Sequence, residues 1–251
     1  MPRRRTDDPH SRWAADEAGT SARAGRTRAE HWIAPERNTG YNPHPVIYPL
    51  LMRVTYRELG PREFRAAIRA LVDVYAAAMK PPDRTLSGRE AIMDRHAASP
   101  GFRGLTAHVD GRLAGFTYGF HGESGQWWHD MVAAALATRS AAADAGDDGA
   151  GAWLHDSFEV AELHVLPPRQ GKGIGRSLLL SLVSGRPERT AVLSTADAPT
   201  RARRLYRGLG FTDLLTDFRF SGSEPPYAVM GALLPLPGAV TLPRSPRPSS
   251  W

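Results

Sequence analysis

A glycine-rich segment that follows a predicted strand and opens a predicted helix is the part of this sequence best suited to chemistry. Glycines stand at positions 171, 173 and 175, beside Arg169, Lys172 and Arg176. Glycine lets main-chain N–H groups approach a ligand closely, and the N–H groups at a helix start attract anions. The segment therefore predicts a site for a phosphate or pyrophosphate.

Two common phosphate-binding motifs do not fit these residues. A Walker loop requires a hydroxyl residue directly after its lysine, whereas Gly173 follows Lys172. A dinucleotide fingerprint requires three glycines as Gly-x-Gly-x-x-Gly. With either Gly171 or Gly173 as the first, no glycine stands at the third position.

The segment resembles the acetyl-CoA loop of the GNAT superfamily of N-acetyltransferases. That family's Gln/Arg-x-x-Gly-x-Gly/Ala pattern reads here Gln170-x-x-Gly173-x-Gly175, after an apolar strand end at Leu163-x-Val165-x-Pro167. A second block is similar to the family's Ala-x-x-Leu-Tyr-x-x-x-Gly-Phe helix end and runs from Ala202 through Leu205, Tyr206 and Gly210 to Phe211.

The likeness spans roughly residues 50–234, and in the N-terminal half it depends on the order of elements alone. One departure is Pro199, where the family often has an asparagine that contacts the pantetheine arm. That contact is either missing here or replaced through Thr200.

The resemblance implies acetyl-CoA as co-substrate, an amine as acceptor and no metal. It implies that the strand before the loop holds the pantetheine, that the N–H of Val165 polarises the acetyl carbonyl, and that the loop takes the pyrophosphate. The implied cofactor-binding residues are Leu163, His164, Val165, Gln170, Gly171, Lys172, Gly173, Ile174, Gly175 and Arg176.

Direct transfer to a primary amine requires a base. Glu159 and Glu162 on the strand before the loop are both candidates, because a bulge would change which of them faces the site. Either can instead be a solvent-facing strand residue. His164 could relay a proton or simply pack. The resemblance implies that Tyr206 protonates the leaving thiolate; the alternative is a packed helix aromatic.

The acceptor groove is expected near Tyr118, Glu123, Trp127 and Trp128, with His129 and Asp130 beside them. Paired tryptophans could form the wall of a pocket for an apolar or cationic amine. They could equally anchor the helix that carries them to the core.

Positive charge is concentrated around the loop. Residues 163–211 hold nine Lys and Arg against two acids, a balance of 9 − 2 = +7, whereas the whole chain carries +6. Such a field would steer CoA phosphates toward the loop. It also fits a solvated helix face or a nucleic-acid patch, although no nucleic-acid-binding motif accompanies it.

Three functions follow from these observations. The first is an acetyl-CoA-dependent N-acetyltransferase that acts by direct attack in a ternary complex. The second is a non-catalytic acyl-CoA-binding or sensing module that uses the same loop. The third is a basic nucleic-acid-associated protein.

Composition narrows the class of protein. The chain has 251 residues, of which 41% are hydrophobic, and no uncharged apolar run long enough to span a membrane. The basic N-terminus leads into no apolar segment, so no secretory signal is expected. Cysteine is absent, which removes disulfides and thiolate chemistry and fits a cytoplasmic location. A homodimer is compatible with all of this.

Between two tails lies one domain. We expect a disordered basic tail over residues 1–45, or a docking arm through Trp32, Ile33 and Tyr41, and a proline-rich tail over 235–251. The domain covers 46–234 and has an insert at about 121–152, of which 127–139 is helical and 140–152 mobile.

Hydrophobic periodicity predicts strands at 51–56, 104–109, 112–120, 157–165, 190–194, 211–220 and 227–234, and helices from Pro61 to about 80, at 88–98 with Ser87 as cap, at 173–183 and at 200–209. This order predicts an α/β (α+β) sandwich, with a mixed and mostly antiparallel central sheet and helices on both faces.

Overall fold

The elements form one mixed sheet with helices on both faces. The computed structural model describes residues 52–81, 86, 88–142, 149–220 and 225–238. Its elements are β1 (Val54–Leu59), α1 (Pro61–Met79), α2 (Arg89–His96), β2 (Arg103–Val109), β3 (Arg112–Gly122), α3 (Trp127–Ala142), α4 (Gly149–His155), β4 (Ser157–Val165), α5 (Ile174–Val183), β5 (Thr190–Ala196), α6 (Arg201–Arg207), β6 (Thr212–Phe218) and β7 (Tyr227–Leu233).

The seven strands are ordered β1-β2-β3-β4-β5-β7-β6. Every neighbouring pair is antiparallel except β4 and β5, which run parallel. The predicted fold class is therefore confirmed. The one parallel junction follows from α5, because a crossover helix is the usual connection between parallel neighbours.

The parallel junction opens along its length. Strand β4 pairs with β5 only where Ser157–Glu159 lies opposite Thr190–Val192. Beyond these residues β4 continues to Val165 and β5 to Ala196 without pairing to each other. The two strands therefore part in the middle of the sheet, and unpaired main-chain groups are expected along the gap.

Strand β4 also carries a bulge beside this gap. Tyr118 pairs with Glu162, whereas the next residue of β3, Gly119, pairs with Val160, so Ala161 has no partner of its own. The strands approach closely here: a Cβ at Gly119 would lie 2.2 Å from the carbonyl oxygen of Glu159. The bulge thus depends on glycine at position 119.

Three groups of buried side chains cover the two faces. Helices α5 and α6 pack on one face, where Leu178, Leu179 and Tyr206 meet the strands. On the other face, α1 and α2 pack over β1–β4, and α3 and α4 pack over β5–β7. The gap between β4 and β5 lies under the junction of these last two groups.

Several predicted boundaries shift. β1 starts at Val54 rather than 51, because its pairing runs from Val54 opposite Val109 to Leu59 opposite Gly104. The N-cap of α2 is Gly88, with a left-handed φ of 89°, rather than Ser87, which lies outside the described residues. Helix α2 ends at His96, two residues earlier than predicted.

The predicted insert is more regular than expected. β3 extends into it as far as Gly122, α3 forms over Trp127–Ala142, and α4 occupies Gly149–His155 in part of the stretch predicted to be mobile. Leu154 is buried with α3, so packing orders this alanine- and glycine-rich segment. Residues 143–148 and both predicted tails, apart from 235–238, lie outside the described residues. None of the helices described combines the length and the apolar composition required to cross a bilayer.

Candidate active site

The predicted phosphate loop forms a strand–turn–helix junction. A short 3-10 turn at Pro167–Arg169 leaves β4, and Gly173 is the N-cap of α5. Gly171 and Gly173 have φ angles of 73° and 81°, in the left-handed region that favours glycine. Both are exposed, and no atom lies within 4 Å of where a Cβ would stand. The approach to the helix N-terminus is therefore open.

The main-chain donors of this junction are free within the part of the chain that the structure describes. The Gln170 N–H donates to Pro167, and the Ser177 N–H donates to Gly173. Between them, the N–H groups of 171–176 donate no hydrogen bond to any described residue. Free N–H groups and the positive end of the helix dipole make an anion site. These residues fit a pyrophosphate.

Strand β4 directs further donors into the gap. The Leu166 N–H donates to the Ala114 carbonyl at 2.8 Å, and the register continues unbroken from Val165 back to Glu162. Hydrogen-bonded and non-hydrogen-bonded positions alternate along an antiparallel ladder. The N–H groups of Leu163 and Val165 therefore point away from β3, toward the side where β5 has parted.

The side chains of Gln170 and His164 form contacts within the protein. The Gln170 amide donates to the Val165 carbonyl at 3.0 Å and ties the loop to the strand end. The His164 ring lies on the α1 side of the sheet, edge-on to Tyr75 at 5.1 Å and bonded to Glu162. Their side chains therefore brace the site, while the loop glycines and Lys172 face outward.

Part of the predicted positive field is neutralised. Arg203 is buried between Asp197 and Asp213, the second of which lies just outside the segment counted from the sequence. Arg186 pairs with Glu188. Lys172 and Arg176 are exposed and form no ion pair with a described residue, so the loop retains uncompensated positive charge.

A cavity of about 330 Å³ lies on the opposite face, where β4 and β5 part. Its floor is formed by residues 159–162 of β4 and by Ser194 of β5, its walls by α2 and by the start of α3. The Trp128 indole N–H donates to the Ser194 hydroxyl at 3.2 Å and so joins α3 to β5 across its edge. Its volume is at the small end of the range for ligand sites.

Glu162 is stabilised as a carboxylate anion by its buried partners. Its carboxylate accepts a hydrogen bond of 2.5 Å from Arg89 and one from His164. Burial alone would raise the pKa of Glu162, but the Arg89 guanidinium and the His164 ring lower it to about 2. Arg89 is buried as well, and it donates to the Tyr75 hydroxyl and lies over the Tyr75 ring.

Glu159 has the opposite environment on the same cavity. Its side chain is buried, and its Oε2 has no hydrogen-bond partner among the described residues. Burial raises the pKa of Glu159 to about 8. A carboxyl of this kind can take a proton at near-neutral pH, whereas Glu162 cannot.

The other predicted site residues divide into two groups. Trp127 and Trp128 line the cavity. Tyr118 is fully buried and does not line it; its hydroxyl lies 3.1 Å from His96, which does. Glu123 is exposed and also lies outside the lining. Tyr206 is packed in the core on the α5 face, 5.8 Å from Phe211 ring to ring, and does not line the cavity.

Residues of α2 and of the turn after it are the part of the site that sequence reasoning missed. Arg89, Ile92, His96 and Ser99 recur at spacings of three and four and line the cavity, together with Arg95. An arginine on the inward face of a short helix was the available signal. Its buried partner, Glu162, could not be identified without the fold.

Comparison with known proteins agrees with this geometry. The family model described as an acetyltransferase (GNAT) domain matches residues 100–213, which include β2 to β5, the loop, α5 and α6. Over these residues the chain is similar to the GNAT family of acetyltransferases.

Two curated acetyltransferases are similar to this chain in sequence. A GCN5-like protein acetyltransferase of Mycobacterium tuberculosis is 29% identical over 214 residues, which are 74% of this chain and 100% of that protein. Mycothiol acetyltransferase of Kineococcus radiotolerans is 37% identical over 114 residues, 40% of this chain and 37% of its own length.

Solved structures are similar at lower identity. The yncA acetyltransferase of Salmonella typhimurium, determined with its cofactor acetyl-CoA, has a TM-score of 0.47 at 21% identity and covers 72% of this chain and 94% of its own. A GNAT-family structure from Desulfovibrio desulfuricans has a TM-score of 0.49 at 16% identity and covers 72% of this chain and 99% of its own.

Proposed function

We propose that this protein is a GNAT-type acetyltransferase that transfers the acetyl group of acetyl-CoA directly to a primary amine bound in the cavity between α2 and α3. The observation that carries the proposal is the position of Glu159. This buried carboxyl faces the cavity at the point where β4 and β5 part. The free main-chain N–H groups at the N-terminus of α5 follow the end of the same strand, β4.

The cofactor-binding roles follow from the direction of main-chain donors. The N–H groups of 171–176 would take the pyrophosphate, with Lys172 and Arg176 as the neighbouring cations. The N–H of Leu163 would hold the pantetheine. The N–H of Val165 would stabilise the negative charge that develops on the carbonyl oxygen as the amine attacks.

Of the two candidate bases, we assign the role to Glu159. An amine arriving as an ammonium must lose a proton before it attacks, and a second as the C–N bond forms. Glu159 has a pKa close to neutral and a free carboxylate oxygen. Glu162 is committed to Arg89 and His164, so we assign it the role of holding α2 against β4.

The leaving thiolate requires a proton once the C–S bond breaks. Tyr206 is the candidate donor, in keeping with the Leu-Tyr block of α6. Its hydroxyl is a weak acid, so direct contact with the sulfur would be needed for efficient transfer. The products are then an N-acetyl amine and CoA.

Thiol release from acetyl-CoA in the presence of an amine panel tests the function. Because the M. tuberculosis relative is named a protein acetyltransferase, the panel contains lysine-bearing peptides and peptide N-termini as well as small amines. Transfer to at least one amine, lost in Glu159→Gln, is the expected result. Calorimetric binding of acetyl-CoA without transfer to any amine would contradict it and indicate an acyl-CoA-binding module.

A further inference from the structure

We propose that the acceptor of this enzyme is an amine that carries a carboxylate, and that Arg95 in the last turn of α2 and Ser99 in the turn after α2 bind the carboxylate. The inference rests on the proposed function, since it concerns the cavity assigned above to the acceptor. Three features of this cavity support it: its charge balance, its available donors and its aromatic wall.

The first support is the charge left over in the cavity. Arg89 and Glu162 cancel each other in a buried ion pair, with side chains 2% and 7% exposed. Glu159 carries little charge at pH 7, because burial raises its pKa to about 8. Arg95 is therefore the cation without a compensating charge among the charged residues that line the cavity.

The acids near Arg95 do not neutralise it. Asp94, the neighbour in sequence, accepts a hydrogen bond of 2.9 Å from Arg65 of α1. Glu90 is exposed and lies five residues away, outside the spacing at which side chains on a helix meet. An acceptor with only an ammonium group would therefore enter beside an unpaired like charge.

The second support is the set of polar groups still available. Gln126 also lines the cavity, but its amide is engaged by the Glu123 N–H and the His121 carbonyl. The Ser194 hydroxyl accepts a hydrogen bond from the Trp128 indole N–H. Within the described ranges, no hydrogen bond or ion pair engages the Arg95 guanidinium or the Ser99 hydroxyl, and both line the same cavity. A guanidinium and a hydroxyl that line one cavity are donors suited to a carboxylate.

The third support is the aromatic wall. Trp127 and Trp128 at the start of α3 line the cavity as the wall other than α2, and Phe120 of β3 lines it beside His96. They would hold an apolar or aromatic body between the carboxylate and the amine. The probes that match are therefore L-phenylalanine and its analogues, which share one aromatic body.

The experiment compares acetyl transfer to L-phenylalanine, L-phenylalaninamide and 2-phenylethylamine, which differ only in the group at the carboxylate position. Measurement from pH 7 to 9 separates recognition from the different basicities of the amines. We expect kcat/KM for the amino acid to exceed that of the other two by about 10- to 100-fold, as for one charge-assisted hydrogen-bonded pair. Equal values, or a preference for the amide or for a lysine peptide, would overturn the inference.

Substitutions of Arg95 test whether this residue causes the preference for the amino acid. Arg95→Gln should remove the preference, and Arg95→Glu should reverse it toward 2-phenylethylamine. Arg69→Gln removes an exposed arginine from α1 that does not line the cavity, and it should leave the preference unchanged. A preference that survives in Arg95→Gln would contradict the assignment of Arg95.

A binding measurement separates this inference from the proposed function. If no amine is acetylated, the function fails, but titration with 3-phenylpropanoate and 3-phenylpropanamide still tests the site. Tighter binding of the acid by about tenfold or more, lost in Arg95→Gln, supports the carboxylate site without any turnover. Equal binding of acid and amide overturns it.

Discussion

Glu159 and Glu162 lie on the same cavity although three positions separate them on one strand. In a regular strand, residues three apart face opposite sides of the sheet. The bulge at Ala161 changes this parity and brings both carboxyls to the side covered by α2 and α3. Arg89 then compensates one of them and leaves the other in an apolar setting, which separates their pKa values to about 2 and about 8.

The pH dependence of turnover should report Glu159. A base with a pKa of about 8 is mostly protonated at pH 7, so kcat/KM should rise with pH and level off above about 8. Thiol release measured from pH 6 to 9.5 checks this. Glu159→Gln should lower kcat by about 10²- to 10⁴-fold. The pH dependence that remains in this variant should be that of deprotonation of the amine substrate. An unchanged rate would exclude Glu159 as the base.

The same carboxyl should affect stability independently of catalysis. Its pKa is higher in the folded protein than the ordinary 4.5, so its contribution to stability is fully present below pH 4.5 and is lost as pH rises to about 8. Glu159→Gln should therefore melt at a higher temperature than the wild type at pH 8 and show a smaller fall in Tm between pH 6 and 8. Parallel Tm curves for the two proteins would indicate a solvated carboxyl.

Gly173→Glu should abolish or strongly weaken acetyl-CoA binding, by at least about tenfold. The substitution places a side chain and a negative charge in front of the α5 N-terminus, where the phosphates are expected. Gly185→Glu is the matched control, because Gly185 follows the other end of α5, is exposed and also has a positive φ, of 68°. Calorimetry should show weaker acetyl-CoA binding in Gly173→Glu alone. Equal acetyl-CoA affinities of the two variants would contradict the assignment of the loop as the phosphate site.

Tyr206→Phe should lower kcat by about 10²-fold or more while acetyl-CoA affinity changes little. The hydroxyl is removed, but the ring that packs beside Phe211 is kept. Tyr56→Phe is the control, since Tyr56 is a partly buried tyrosine against the same core. Steady-state kinetics and calorimetry together decide the outcome, because equal losses in kcat and affinity would indicate a packing role.

Arg89→Met should destabilise the protein by about 3–5 kcal/mol, because it leaves the Glu162 carboxylate buried without its cation. The double variant Arg89→Met/Glu162→Gln removes both charges and should recover a large part of this loss. Urea unfolding of the three proteins measures the effect. If the double variant is as unstable as the single one, the contribution of Arg89 comes from packing over Tyr75 rather than from its charge.

Local sequence determined the loop and most of the elements. The strand β4, the glycines at 171 and 173 and the helix α5 are contiguous, and their conformations depend on neighbours a few residues away. The order of residue types was therefore enough to predict an anion site there and a mixed sheet around it. Helix α4 was not predicted, because Leu154 packs against residues distant in the sequence.

Tertiary structure alone decided the chemistry beside that loop. The sequence could not choose between Glu159 and Glu162, because strand parity depends on the bulge that Gly119 permits from a neighbouring strand. It did not reveal Arg89, since an arginine is recognised as a buried counterion only when its partner, 73 positions away, is known. A pKa is set by burial and nearby charge in space, and only the folded chain defines these.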